Sequence, residues 1–496
     1  MKKINKKQIF IFIAIMLFII GEILPRELNN LDEIWNFNFA RVIANGMFPY
    51  RDFNIIQGPL LPLISALFLK IFGQEMIVTR VLAIVLDSIV LFLTYKIMNK
   101  LNVKDYIKYL TLIILAIIMK PYFTLDYNWL SLSLVLVIIY LELTKNKSIK
   151  QQIIIGILAG FTITIKQTTG LVISVATIVW SILKTRNFED LKKYLKSILF
   201  RFFGVISIVI LFLLILVSLG ILTDYIDYCI LGIKTFSNSI SYIERLINNS
   251  NILIKLLSIS PIIVYLALLI MYLKTKKDEA LVLFTYGITQ MVVVYPIADE
   301  SHFCLAIVPT VISIGYLINN LIEKMYESKK IEIIINNFLM SFITLCSIFF
   351  LINGIYIYKA QNINMELNHF KLIPIEQQGI EQNKKMGEFI KTNQKDVYIL
   401  DAVAALYMVP IDRYNKDFDM FNIGNLGSKG EDGQIEKIKK MDNSIFLIRN
   451  NNYSRNWQNP EKVRKFIIKN LTKTGEIGIF DIYERKEENE QKTLIN

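Results

Sequence analysis

Apolar segments near the length of a bilayer span, roughly 20 residues, recur along the chain from the N-terminus to about Gly354. This pattern predicts membrane-spanning helices. We place about eleven of them, near residues 8–24, 76–98, 107–125, 129–144, 151–168, 170–184, 198–222, 252–273, 279–297, 303–322 and 331–353. The basic and apolar start is similar to a signal peptide, but no small-residue cleavage site follows it. We therefore interpret it as a retained first helix.

Lysines and arginines are concentrated in alternate loops between these segments. The basic groups lie within residues 2–7, 100–108, 145–150, 184–196, 274–277 and 324–330, whereas the other short loops carry almost no cations. Cytoplasmic loops of membrane proteins carry such an excess of positive charge. The pattern places the N-terminus in the cytoplasm, and the number of spans then places the C-terminal region outside.

The segment 25–75 follows the first helix and is too polar to span a bilayer as a whole. Within it, residues 58–72 are apolar, but they begin with Gly-Pro and contain Pro62. A span at 58–72 would reverse every later loop and violate the charge pattern. We therefore predict an interfacial or re-entrant helix within a structured outer loop.

The composition changes at about Leu367, where apolar runs shorten to strand length. Candidate strands lie at 397–400, 444–449 and 477–485, with amphipathic helical stretches at 380–392 and 460–471. The sequence thus predicts a polytopic α-helical membrane domain over residues 1–366 and a small extracytoplasmic α/β domain over residues 367–496.

Composition excludes several classes of protein. The 496 residues are 54% hydrophobic and their mean hydropathy is +0.45, which an ordinary soluble protein would not tolerate. The net charge of +13 would suit nucleic acid, but the loop pattern explains the cations better, so we expect membrane lipids as partners and no nucleic acid. The three cysteines lack metal-ligand spacing, and there is no nucleotide-binding glycine loop or nucleophile elbow. We expect no required cofactor; a divalent metal could assist the reaction, but no ligand set in the sequence supports one.

Polar clusters fall at the outer ends of several predicted spans. They are Asp32/Glu33, Asp126-Tyr127-Asn128, Lys166-Gln167-Thr168-Thr169 and Asp299-Glu300-Ser301-His302. Ionisable residues near membrane depth are costly and tend to be functional, although polar residues also gather at helix ends for structural reasons alone. Asp32 and Glu33 stand near Trp35, Phe37 and Phe39, where an apolar wall would raise the pKa of a carboxyl group and suit a general base. A solvated loop pair is the alternative.

Three basic residues lie at the same predicted boundary. Arg80 and Lys166 either extend to the interface, as long basic side chains do, or bind an anionic phosphate. His302 is one of two histidines; it is either a hydrogen-bonded helix-end residue or a substrate contact.

The order of these features resembles the GT-C superfamily of integral-membrane glycosyltransferases, which includes protein mannosyltransferases and the lipid A aminoarabinose transferase. The resemblance rests on a first helix, an outer loop opening with Asp32-Glu33, and a series of segments in matching order. The segments are FARVIANGMFPYRDF, GPLLPLISALFLKIFG, VTRVLA, LDYNWLSLSL, GILAGFTITIKQTTG and DESHFCLAIVP. Two departures stand out: Gly58-Pro59-Leu60 replaces a Pro-Pro-Leu, and His302-Phe303 replaces a basic residue followed by Tyr.

The resemblance implies a hexosyl- or pentosyltransferase that moves a sugar, with inversion, from a polyprenyl-phosphate donor to a glycan, lipid or protein acceptor on the outer face. The family's first-loop aspartate is placed as general base and maps to Asp32, next to Glu33, and a second acidic position maps to Asp126. Basic residues near helix ends hold the lipid phosphate, which suggests Arg80, Lys166 and His302.

Two other classes of function compete with this interpretation. A transporter or flippase of a lipid-linked sugar would also need many spans, but the chain shows no repeated halves, paired broken helices or charged relay at mid-membrane. A scaffold or sensor with an outer binding domain would leave the polar clusters unexplained.

Overall fold

The computed structural model describes residues 6–185, 188–235, 241–248, 251–323, 329–415, 417–451, 453 and 458–485. Parts of the first, fourth and sixth basic groups, at 2–5, 186–187 and 324–328, lie outside the described residues. The chain divides into two units. Unit 1 comprises Met1–Arg26, Arg80–Ile215 and Ser239–Tyr358, and unit 2 comprises Glu27–Thr79, Leu216–Asn238 and Lys359–Asn496.

Helices account for most of the described residues. In chain order the α-helices are α1 (Lys6–Ile23), α2 (Leu31–Ala44), α3 (Leu60–Phe72), α4 (Met76–Lys100), α5 (Asp105–Met119), α6 (Tyr127–Glu142), α7 (Ile149–Ile165), α8 (Gln167–Leu183), α9 (Phe188–Ser218), α10 (Leu222–Tyr225), α11 (Tyr242–Asn248), α12 (Ile252–Thr275), α13 (Asp278–Gln290), α14 (Glu300–Ala306), α15 (Val308–Ile322), α16 (Lys329–Ala360), α17 (Gln377–Thr392), α18 (Ala404–Met408), α19 (Gly430–Lys439) and α20 (Glu461–Asn470). The strands are β1 (Asp396–Ile399), β2 (Ser444–Arg449), β3 (Thr472–Ile477) and β4 (Phe480–Glu484).

Every predicted span contains an α-helix, and the span at 303–322 is divided between α14 and α15. By length and hydropathy, four described helices can cross a membrane, namely α4, α9, α12 and α16, and the α14–α15 pair, bent by 42°, would make a fifth. Helices α6, α7 and α8 are apolar but shorter. Because an α-helix rises about 1.5 Å per residue, each of them covers less of a bilayer than the four long helices do. A mostly helical fold with several apolar helices and a small sheet is thus confirmed, whereas the number and direction of the crossings stay predictions.

Close backbone contact joins two of the long helices of unit 1. A Cβ atom on Gly354 of α16 would lie 2.2 Å from the carbonyl oxygen of Gly21 in α1, and one on Gly21 would lie 2.2 Å from the carbonyl oxygen of Phe350. Only glycine allows this approach, so the two positions fix how α1 and α16 pack.

A buried charged network ties other helices of unit 1 together. Glu142 in α6 accepts a hydrogen bond from the hydroxyl of Tyr286 in α13 at 2.7 Å. It also pairs with Arg201 of α9 at 2.7 Å and with Lys147 at 3.2 Å. Because buried charges need such partners, the network specifies which helices meet.

Unit 2 contains a four-stranded mixed sheet of order β1-β2-β4-β3. Strands β1 and β2 are parallel, and the β2–β4 and β3–β4 pairs are antiparallel. The predicted strands at 397–400 and 444–449 correspond to β1 and β2, and the predicted helices correspond to α17 and α20. The predicted strand at 477–485 is wrong in its start, because Gly478 turns the chain with a φ of +58° and separates β3 from β4.

The core of unit 2 combines the segment after the first helix with the C-terminal region, by which we mean residues 359–485. Apolar side chains of α2 and α3 pack with residues 367–375 and with α18; this core includes Ile34, Phe37, Ala66, Phe370 and Ala405. The predicted domain boundary at residue 366 stays a prediction. By packing, α2 and α3 share a core with the C-terminal region.

Candidate active site

Three helix ends of unit 1 meet around a buried lysine. Asp126 caps α6, and its Oδ1 accepts a hydrogen bond from the backbone N–H of Asn128 at 2.7 Å. Lys166 stands at the break between α7 and α8, where the backbone is extended (φ −140°, ψ 105°). Its ammonium donates to Asn128 Oδ1 at 2.9 Å and to the carbonyl oxygen of Val293 at 3.4 Å. A cation is thus held inside the protein beside a carboxyl group.

A second helix cap adds a histidine to this group. Asp299 precedes α14 and accepts hydrogen bonds at Oδ1 from the backbone N–H of His302 at 2.9 Å. The same oxygen lies 2.7 Å from His302 Nδ1. His302 lies near enough to Asp126 to interact with it electrostatically, and Asp299 lies near enough to Lys166 to do the same. Asp126, Lys166, Asp299 and His302 therefore form one electrostatic group, which we call the unit 1 cluster.

Burial dominates the electrostatics of Asp126. Loss of solvent raises the pKa of its carboxyl group, and the amide of Asn128 and the charges of His302 and Lys166 oppose that rise. The geometry also provides a purely structural explanation, because an aspartate before a helix commonly caps it. Capping and a functional role are compatible, since only Oδ1 is used by the cap.

Sequence reasoning missed Arg245, which lies beside this cluster. Its guanidinium donates to the carbonyl oxygen of Ala298 at 3.2 Å and to Glu300 Oε1 at 3.4 Å. It also covers the ring of Phe303 at 4.5 Å. One feature of the sequence would have indicated it, because Arg245 is a cation in a loop that the charge pattern assigns to the cation-poor side.

Arg80 occupies a different environment in unit 1. It is 2% exposed, and its guanidinium donates to the carbonyl oxygen of Arg26 at 2.7 Å. Arg26 in turn donates to the carbonyl oxygens of Lys120, at 2.7 Å, and of Phe123. Arg80 thus braces the chain that leads to Asp126. Its predicted contact with a lipid phosphate stays a prediction.

Asp32 and Glu33 lie in the first turn of α2, in unit 2. Asn30 caps this helix, because its side-chain oxygen accepts hydrogen bonds from the backbone N–H groups of Asp32 at 2.9 Å and of Glu33 at 3.3 Å. Asp32 is exposed and Glu33 is buried. The positive end of the helix dipole stabilises negative charge at this position, so the helix itself also explains an acidic pair.

The aromatic residues expected beside Asp32 pack elsewhere in unit 2. Trp35 donates to the carbonyl oxygen of Ala402, Phe37 lies 6.1 Å from Phe370 and Phe39 stacks on Phe53 at 5.6 Å. The general-base roles of Asp32 and Glu33 therefore stay predictions, and the expected aromatic wall no longer supports them.

A metal centre finds no support among the described residues. In this part of the chain, no group of three or more His, Cys, Asp or Glu side chains could hold a metal ion. The expectation that catalysis requires no cofactor stays a prediction.

Comparison with known proteins identifies the class of fold. A sequence model of the dolichyl-phosphate-mannose-protein mannosyltransferase family matches residues 57–212. Among curated protein sequences, none matches the chain. The resemblance to the GT-C superfamily of membrane glycosyltransferases is confirmed by this match together with the solved structures described next.

Three of those structures illustrate the similarity. ArnT from Cupriavidus metallidurans in the apo state aligns with a TM-score of 0.58 at 9% identity, over 96% of this chain and 97% of ArnT. The oligosaccharyltransferase of Archaeoglobus fulgidus in the apo form aligns with a TM-score of 0.51 at 10% identity, over 90% of this chain and 70% of that protein. The arabinofuranosyltransferase AftD from Mycobacteria aligns with a TM-score of 0.52 at 10% identity, over 98% of this chain but 40% of AftD. At such identities the similarity establishes the fold.

Proposed function

We propose that this protein is a membrane glycosyltransferase. It moves a sugar from a polyprenyl-phosphate donor to a glycan, lipid or protein acceptor on the extracytoplasmic face, with inversion at the anomeric carbon. The observation that carries the proposal is the unit 1 cluster, in which helix caps and a buried lysine gather in a chain of GT-C fold.

The similar proteins support the choice of donor. The matching family is described as using dolichyl-phosphate-mannose. ArnT has been solved with undecaprenyl phosphate, and the archaeal oligosaccharyltransferase AglB has been solved with a dolichol-phosphate and an inhibitory peptide. These ligands share a phosphate on a polyprenyl chain, which is the chemistry that a cation near membrane depth would recognise.

The proposed reaction assigns separate tasks to basic and acidic side chains. Lys166, with Arg80, Arg245 and His302 as further basic residues, stabilises the phosphate as it leaves the anomeric carbon with the bonding electron pair. A preorganised donor of this kind lowers the barrier by about 3 kcal/mol. Asp32 accepts the proton that the acceptor hydroxyl loses as its oxygen attacks. Phosphate leaves readily, so the reaction needs no general acid.

The test uses purified full-length protein in lipid nanodiscs. Radiolabelled polyprenyl-phosphate mannose and polyprenyl-phosphate arabinofuranose are supplied with membrane-extracted acceptors, and transferred label and released polyprenyl phosphate are measured. We expect one donor to be consumed by the wild-type protein. Movement of an intact donor across the bilayer, without release of polyprenyl phosphate, would instead identify a flippase.

Substitution of Asp32 tests the proposed base. Asp32→Asn keeps the size of the side chain but removes proton acceptance, so turnover should fall by about 10²–10⁴-fold with binding of the donor retained. Asp32→Glu should recover little, because a carboxylate displaced by about 1 Å can cost about 100-fold. Asp442→Asn is the matched control, because the side chain of Asp442 is 84% exposed. Turnover of Asp32→Asn within threefold of the wild type would overturn the assignment and make Asp126 the next candidate.

A further inference from the structure

Helix α2 is buried along almost its whole length, which is unusual for a segment that the sequence places in a loop. After the exposed Asp32, every residue from Glu33 to Val42 is buried. Ile34, Phe37 and Ala40 pack with Phe370 and Ala405 of the C-terminal region. The C-terminal region therefore covers the helix whose first turn carries the acidic pair.

Two polar side chains of α2 also bind the C-terminal region. Trp35 Nε1 donates to the carbonyl oxygen of Ala402 at 2.8 Å. Arg41, which is 1% exposed, donates to the carbonyl oxygen of Arg413 at 2.5 Å. The same guanidinium donates to Asn38 Oδ1 within α2 at 3.3 Å. Buried polar groups of this kind fix orientation as well as distance, because each hydrogen bond has a preferred geometry.

The acceptors on the C-terminal region are themselves held firmly. Asp401, directly before Ala402, is 1% exposed and binds Arg449 of β2 through two contacts of 2.8 and 3.0 Å. Its Oδ1 also accepts from the backbone N–H of Val403 at 3.0 Å. The backbone around Ala402 is thus anchored to the sheet.

The loop that carries Arg413 has a similar anchor. Two residues after Arg413, Asn415 donates from its side chain to the carbonyl oxygen of Ile399 in β1 at 2.7 Å, and its backbone N–H donates to Asp419 Oδ1 at 3.2 Å. The partners of Trp35 and Arg41 therefore lie in segments that are held to two adjacent strands of the sheet.

We propose that the C-terminal region positions the catalytic helix: Trp35 and Arg41 lock α2 against Ala402 and Arg413, and this lock sets where Asp32 is presented. The inference rests on the proposed function, because it takes Asp32 as the base. A helix transmits the constraint, since Trp35 is one turn from Asp32. Trp35 and Arg41 are positioning residues and touch no substrate in this proposal.

Trp35→Phe tests the lock with little loss of packing. It keeps an aromatic ring but removes the N–H that donates to Ala402. Trp180→Phe is the matched control, because Trp180 is 2% exposed and its Nε1 has no hydrogen-bond partner among the described residues. Full-length proteins are compared in nanodiscs by kcat and KM for whichever of polyprenyl-phosphate mannose or arabinofuranose the wild type consumes, and by binding of undecaprenyl phosphate.

We expect Trp35→Phe to lower kcat about 10-fold or more, because displacement of a reacting group by about 1 Å can cost about 100-fold. KM and undecaprenyl phosphate affinity should stay within twofold of the wild type, and Trp180→Phe should match the wild type in kcat. Added to Asp32→Asn, Trp35→Phe should have no further effect on the residual rate, since the base that it positions is gone.

Two outcomes would overturn the inference while leaving the proposed base intact. One is a kcat for Trp35→Phe equal to that of the wild type, and the other is the same fold-loss with and without Asp32→Asn. If Asp32→Asn alone keeps the wild-type turnover, the proposed function fails. The lock then positions no catalytic residue, and this inference fails with it. If Trp35→Phe fails to fold, as judged by melting and phosphate binding, Arg41→Lys replaces it and is expected to give the same pattern.

Discussion

Replacement of Lys166 by methionine is the most direct test of the unit 1 cluster. Methionine keeps most of the aliphatic side chain but removes the ammonium. Lys166 is 8% exposed, and its ammonium donates to Asn128 and Val293. A hydrogen bond to a charged group contributes about 1.5–3 kcal/mol. Since about 1.4 kcal/mol corresponds to a tenfold change, the Kd for a polyprenyl phosphate should rise about 10- to 100-fold.

The same substitution has a cost in stability that the experiment must separate from binding. Asn128 Oδ1 and the carbonyl oxygen of Val293 would each lose a donor, and an unsatisfied buried polar group costs about 1–3 kcal/mol. Loss of the buried charge also removes the cost of keeping an ammonium out of water, and this gain offsets part of the cost of the two unsatisfied oxygens. We therefore expect a lower melting temperature but a folded protein.

The assay is titration of undecaprenyl phosphate into purified full-length protein, with thermal melting measured in parallel. Lys166→Arg keeps the positive charge and should retain more affinity than Lys166→Met. Lys429→Met is the control for loss of a lysine, because the side chain of Lys429 is 73% exposed and its ion pair is with the exposed Glu436. A Kd for folded Lys166→Met within twofold of the wild type would refute the phosphate-binding role.

Three further predictions concern stability and topology. Gly354→Ala should destabilise unit 1 by more than about 1 kcal/mol, the order of magnitude of core overpacking, because its Cβ would meet the carbonyl oxygen of Gly21 at 2.2 Å. Thermal melting checks this, with Gly379→Ala as the control because the nearest neighbour of a Cβ at Gly379 lies at 3.3 Å. Burial raises the pKa of Asp419 to about 7 from an ordinary 3.8, so the stability that it contributes is present below pH 3.8 and is lost as the pH rises through about 7. Denaturation of Asp419→Asn should accordingly depend less on pH over that window than the wild type does; identical pH profiles would contradict the assignment. Reporter fusions after Gly354 should be active only outside the cell, and activity in the cytoplasm would reverse the topology.

The positions of the helices were predictable because the information is local. In lipid, an apolar run of span length forms a helix, because its backbone groups must satisfy their own hydrogen bonds there. The places of Asp126 and Asp299 at the ends of helical segments were also predictable, whereas their capping hydrogen bonds came from the structure. Strand β3 was missed because its sequence, TKTGEI, is polar, and its pairing with β4 depends on a turn at a single glycine.

The sequence by itself determined the class of the protein, the helical segments and the polar residues worth testing, because hydrophobic patterning and capping act over a few neighbouring residues. Only the tertiary structure decided which of those residues meet. Lys166 binds Asn128 across 38 positions, and Arg41 binds Arg413 across 372. Such contacts depend on how whole helices and loops pack, and no local pattern specifies that packing. For the same reason the contacts of Arg245, and the sharing of one core by α2 and the C-terminal region, emerged only from the folded chain.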